Sequence, residues 1–88
     1  MTENPEEQRS HYAAAARCYA EVKLHRNAVK LFELAMMHTE AALHCFNNNL
    51  LDEAVSIMKK DGVHIDPDAI KIITQAARVR YLETKRIG

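Results

Sequence analysis

Two stretches of this 88-residue chain repeat each other. Ala14-Ala15-Ala16-Arg17-Cys18-Tyr19 returns 27 residues later as Ala41-Ala42-Leu43-His44-Cys45-Phe46. Asn27-Ala28-Val29-Lys30-Leu31-Phe32 returns 26 residues later as Glu53-Ala54-Val55-Ser56-Ile57-Met58. Self-similarity at a period of about 20–50 residues marks stacked supersecondary units. Within each block the apolar residues fall three and four apart, the spacing of one helix face. Such a unit cannot bury its apolar face alone, so the chain must fold by laying short helices side by side.

Composition agrees with helices. Ala is frequent, while only two Gly and two Pro occur, and these are the residues that cost least and most in a helix. Asn4-Pro5-Glu6-Glu7 opens a first helix, with a capping Asn, a first-turn Pro and acids at the positive end of the dipole. That helix is expected to run to about Val22, with Lys23-Leu24-His25 as a turn and a second helix from about Arg26 to Met36. Thr39 is the expected cap of a third helix, which ends at the polar break Asn47-Asn48-Asn49. Asp52 is the expected cap of a fourth, which leaves through Lys59-Lys60-Asp61-Gly62. Val63-His64-Ile65 reads as a connector, and Asp66-Pro67-Asp68 opens a last helix to about Lys85. The expectation is one all-α domain over residues 1–88: hairpin 1 at about 5–36, hairpin 2 at about 39–61, and a longer capping helix at about 67–86.

The first hairpin resembles a tetratricopeptide repeat. Tyr12, Ala15, Ala16 and Tyr19 stand at the spacing of that family's first helix, Ala28 and Phe32 at that of its second, and Ala35 closes it. The second hairpin keeps Phe46, Ala54 and Met58, with Thr39 and Leu43 in the earlier places. Ala15 replaces a Leu, no Pro ends the first hairpin, and the period falls short of the family's about 34 residues. The likeness spans Tyr12 to Asp61. It is similar to the shortened hairpins of α-solenoid segments in large scaffold, coat, transport or helicase-associated proteins. It implies repeat packing by Tyr12, Ala16, Tyr19, Ala28, Phe32, Phe46, Ala54 and Met58. It also implies that the first helices of the hairpins line a concave face.

At a 27-residue offset, Arg17, Glu21, Glu40, His44, Asn47 and Asn48 form a polar strip on that face, a candidate grip for an extended peptide. Cys18 and Cys45 take equivalent places in the two hairpins and are expected to be buried apolar residues. The five histidines show no i,i+4 pair and no CxxC accompanies them, so neither a metal nor a cofactor is expected. Ser10, Ser56, Thr39, Thr74 and Thr84 lie in no nucleophile elbow or Gly-rich loop, so an enzyme is not expected.

Twelve basic and twelve acidic residues cancel, and nucleic acid is not the expected partner. From Ala69 to Gly88, however, Lys71, Arg78, Arg80, Lys85 and Arg86 face a single acid, Glu83, a local +4. The last helix also carries more apolar surface than one hairpin can cover: Ile70, Ile73, Ala76, Ala77 and Tyr81, with Ile72, Val79, Leu82 and Ile87 beside them. Exposed apolar surface of this kind marks contacts, with neighbouring repeats or through self-association. No apolar run approaches the about 20 residues that span a bilayer, and the acidic start is unlike a signal peptide. Two unpaired-looking cysteines suit a reducing, cytoplasmic setting. Three functions fit this reading: a non-catalytic protein-binding scaffold module, a structural spacer in a longer solenoid, or an accessory segment of a nucleic-acid-processing protein.

Overall fold

A computed structural model of the chain describes residues 4–87, with side chains as far as Glu83. It is all-α: five helices, with no strand among the described residues. They are α1 (Pro5–Glu21), α2 (His25–Leu34), α3 (His38–Asn47), α4 (Leu51–Met58) and α5 (Pro67–Ile87). Their boundaries lie close to those read from the sequence.

The two outer helices begin as their capping residues dictate. The Asn4 side chain accepts a hydrogen bond from the Glu6 N–H at 2.9 Å, ahead of Pro5. The Asp66 carboxylate accepts from the Asp68 N–H at 3.1 Å, ahead of Pro67.

The three inner helices begin differently, and Thr39 and Asp52 are not their caps. The N-cap residues of α2, α3 and α4 are Leu24, Met37 and Leu50, none with a side-chain hydrogen bond. Each follows a left-handed residue: Lys23 (φ 65), Met36 (φ 63) and Asn49 (φ 63). The N–H groups of Leu24, Met37 and Leu50 reach back to the carbonyls of Tyr19, Phe32 and Cys45 at 2.8–2.9 Å. That is the Schellman ending, in which the residue after the left-handed one wants an apolar side chain to rest on the helix it leaves. The same apolar residue then accepts the first hydrogen bond of the next helix, from Ala28, Ala41 and Ala54 at 3.0 Å. One helix's exit and the next helix's entry are thus a single device, which leaves no room for a Thr or Asp cap. Asp52 sits instead in the first turn of α4. The Thr39 hydroxyl accepts from the Asp66 N–H at 2.9 Å, which ties the start of α3 to the start of α5.

The left-handed residues recur at a fixed interval. Lys23, Met36, Asn49 and Gly62 (φ 77) are 13 residues apart. The structural unit is therefore one helix and its turn, 13 residues long, and two units make 26. The 27-residue offset of the first blocks is one residue out of register. In the 13-residue register Ala15, Ala28, Ala41 and Ala54 are equivalent, as are Tyr19, Phe32, Cys45 and Met58.

Neighbours in sequence are neighbours in space: α1 packs on α2, α2 on α3, α3 on α4, and α5 on both α3 and α4. The result is a slab of 55 × 29 × 17 Å. Its core is thin and rich in alanine. Ala16, Ala28, Ala41, Ala42, Ala54 and Ile73 are 0% exposed and Cys45 is nearly so, with Phe32, Ile57, Ile65 and Ala69 around them. Small side chains let the helix backbones approach closely, so packing density replaces side-chain bulk. Ion pairs between units lie at the surface: Arg26 with Glu53 at 3.0 Å, and Lys60 with Glu33.

Candidate protein-binding surfaces

The polar strip expected on α1 and α3 is divided. Arg17 and Glu21 are exposed on α1, and Glu40 and Asn47 on α3. Among the described residues the α1 and α3 backbones make no close approach. His44 and Asn48 leave the strip. Both are half-buried; His44 is turned towards α2, and the Asn48 side chain bonds back to His44. The register explains this: 13 residues before and after His44 stand Leu31 and the buried Ile57, which are inward positions.

Of the residues expected to pack the repeats, Ala16, Ala28, Phe32 and Ala54 are buried, and Phe46 and Met58 are half-buried. Tyr12 and Tyr19 are 37% and 39% exposed, and among the described helices α1 packs on α2 alone.

Between α2 and α3 a histidine pair forms that sequence spacing did not suggest. His25 Nδ1 lies 2.9 Å from His44 Nε2, and the rings are 5.0 Å apart. The Asn48 side-chain amide donates to the His44 carbonyl at 2.8 Å and stands 3.5 Å from His44 Nδ1. The donor and acceptor roles of the two facing ring nitrogens follow from the tautomers of His25 and His44. Phe32 closes the other side of the His44 ring at 6.1 Å. Burial first, and the neighbouring His25 second, push the His44 pKa below the usual histidine value. The pair is thus a hydrogen-bonded link between two helices in which the neutral form of His44 is favoured. Among the described residues no group of three or more His, Cys, Asp or Glu is arranged to hold a metal ion.

The thiols are unlike each other. Cys45 is buried, and its pKa is pushed up to about 11, first by burial and then by the charges of Glu53 and Glu33. Cys18, expected to be its buried equivalent, is exposed. In the 13-residue register it matches His44, whereas Cys45 matches Tyr19, so the two cysteines hold different places.

A nearly all-apolar groove of about 460 Å³ lies between α4 and α5. Val55 and Met58 form one wall and Thr74, Ala77, Tyr81 and Leu82 the other, with Lys59 and Arg78 at the rim. The apolar surface expected on the last helix is present here and beyond it: Ile70, Ile72, Val79, Tyr81 and Leu82 are exposed, while Ile73 is buried. The expected contributions of Thr84, Lys85, Arg86 and Ile87 lie outside the described side chains. No described helix is long and apolar enough to cross a membrane. No protein-family model, curated protein or solved structure matches the chain.

Proposed function

We propose that this chain is a non-catalytic protein-binding module, a tetratricopeptide-like segment of an α-solenoid in which successive helices pair as hairpins. The observation that carries the proposal is the 13-residue unit with its repeated left-handed turn. Such units stack on their neighbours alone, and stacks of this kind present extended surfaces that bind other proteins. The half-exposed apolar positions at both ends of the series, Tyr12 and Tyr19 on α1 and Val55 and Met58 on α4, support the same reading.

The test is capture from an extract of the source cells on immobilised chain. Two variants that leave the core alone serve as controls: Arg17→Glu with Glu21→Arg on α1, and Glu40→Arg with Asn47→Asp on α3. A protein retained by the native chain and released by one variant of unchanged helical content supports the proposal. Retention no greater than on a chain of scrambled sequence refutes it and leaves the spacer role.

A further inference from the structure

We propose that the groove between α4 and α5 receives one amphipathic α-helix of a partner protein, with an apolar stripe edged by Asp or Glu. This rests on the reading of the chain as a protein-binding module, and it assigns the contact to a surface outside the polar strip.

The register supplies the first argument. Val55 holds the place that Ala16, Val29 and Ala42 hold in the earlier units, and all three of those are buried. Met58 holds the place of Tyr19, Phe32 and Cys45, of which the last two are buried and Tyr19, on α1, is exposed. Val55 and Met58 are only half-buried. The cause is the entry of α5. It starts at Pro67, three residues later than the 13-residue interval would set, and it packs across both α3 and α4. A strip of α4 that a helix covers in the earlier units is therefore left open. The walls of this groove are two helix faces with Ala77, the smallest lining side chain, on the α5 wall.

Charge supplies the second. Among the described residues the two charged ones lining the groove are both cations, Lys59 and Arg78, and neither is ion-paired or hydrogen-bonded to another described side chain. The other lining groups are uncharged. An apolar floor between two unpaired cations selects an apolar stripe with acidic edges and rejects basic ones, because rim charges set partner choice more than raw affinity.

The probes are two labelled peptides of about 18 residues, above the length at which isolated helices are marginal. They share one Leu stripe at helical spacing, with Glu along both edges in the first and Lys in the second. Binding is followed by fluorescence anisotropy. The Glu-edged peptide is expected to bind saturably and to weaken as salt rises. The Lys-edged peptide is expected to bind at least about tenfold more weakly, the worth of two rim pairs exchanged for repulsion. Lys59→Glu with Arg78→Glu, both at exposed positions, should reverse the preference, while Lys23→Glu with Lys30→Glu should not. Equal affinity for the two peptides, no binding of either, or indifference to the Lys59 and Arg78 reversal would overturn the proposal. A doubling of mass by light scattering that Ala77→Arg, inside the groove, abolishes would also overturn it, because the occupant would then be a second copy. If both peptides fail but a protein is still captured from extract, only the groove assignment falls. If nothing is captured, the protein-binding reading falls with it.

Discussion

Met36 is where the turn device can be weighed with least interference. Its backbone is left-handed at φ 63 and its side chain is 65% exposed, so little packing is lost with the side chain. Holding a residue that carries a Cβ in this conformation costs about 1–2 kcal/mol. Glycine escapes that cost but surrenders about 0.5–1 kcal/mol more backbone entropy on folding. The difference predicts that Met36→Gly stabilises the chain by about 0.5–1 kcal/mol. In a domain of this size 1 kcal/mol moves Tm by about 4–8 °C, so the expected rise is about 2–8 °C. Leu34→Gly, two residues earlier and 50% exposed in the last turn of α2, should instead cost about 1 kcal/mol, the ordinary penalty of glycine in a helix. Gly62→Ala is the converse experiment. A Cβ there meets no atom within 4 Å, and φ is +77, so the loss of about 1 kcal/mol is a backbone effect alone. Urea unfolding followed by circular dichroism reads all three. If Met36→Gly lowers the midpoint as far as Leu34→Gly does, Met36 is not a left-handed helix stop, and the 13-residue unit loses its physical basis.

Ala28→Leu or Ala41→Leu, each at a 0% exposed helix contact, should overpack it and cost about 1–3 kcal/mol; an unchanged melting curve would contradict the close packing. Iodoacetamide should add one group to the native chain, at Cys18, and a second, at Cys45, only in denaturant, as intact and peptide mass spectra would show. A histidine whose folded pKa lies below its unfolded value lets the unfolded chain take up the proton first. Stability should therefore fall as pH drops below about 6.5 towards the lowered value of His44. His44→Gln should flatten that slope between pH 7 and 5.5, and an unaltered slope in urea titrations would mean that burial does not lower the His44 pKa.

The helices were legible because their signals are local. Asn4-Pro5 and Asp66-Pro67-Asp68 announce α1 and α5, and Gly62 announces an end. The inner starts were misassigned because Thr39 and Asp52 look like caps, while a Schellman exit that doubles as an entry is written in apolar residues: Leu24, Met37 and Leu50. The first blocks, unlike the second, were aligned one residue out of register for a related reason. Aligning Cys18 with Cys45 matches chemistry, but the register is carried by the alanines at 15, 28, 41 and 54, of which the last three are 0% exposed. That single shift placed His44 on the outside and hid its pairing with His25. The groove was not legible at all, because it depends on how α5 crosses α3 and α4, a long-range matter on which the local pattern is silent.

The two ends of the series differ in a way that bears on partner choice. On α1 the open positions are Tyr12, Ala15 and Tyr19, an aromatic surface around a small residue. On α4 and α5 they are aliphatic, with Tyr81 beside them and unpaired cations at the edge. A two-fold dimer through the groove would set the same patch against itself. Lys59 and Arg78 of one copy would then face Lys59 and Arg78 of the other in a desolvated apolar setting, where like charges repel strongly. A dimer through α1 meets no such opposition. The cationic rim therefore acts against self-pairing at the groove as well as in favour of an acidic helix. Neutralising the rim with Lys59→Gln and Arg78→Gln should weaken the acidic peptide while easing self-association, and the two effects should appear together as salt is raised on the native chain.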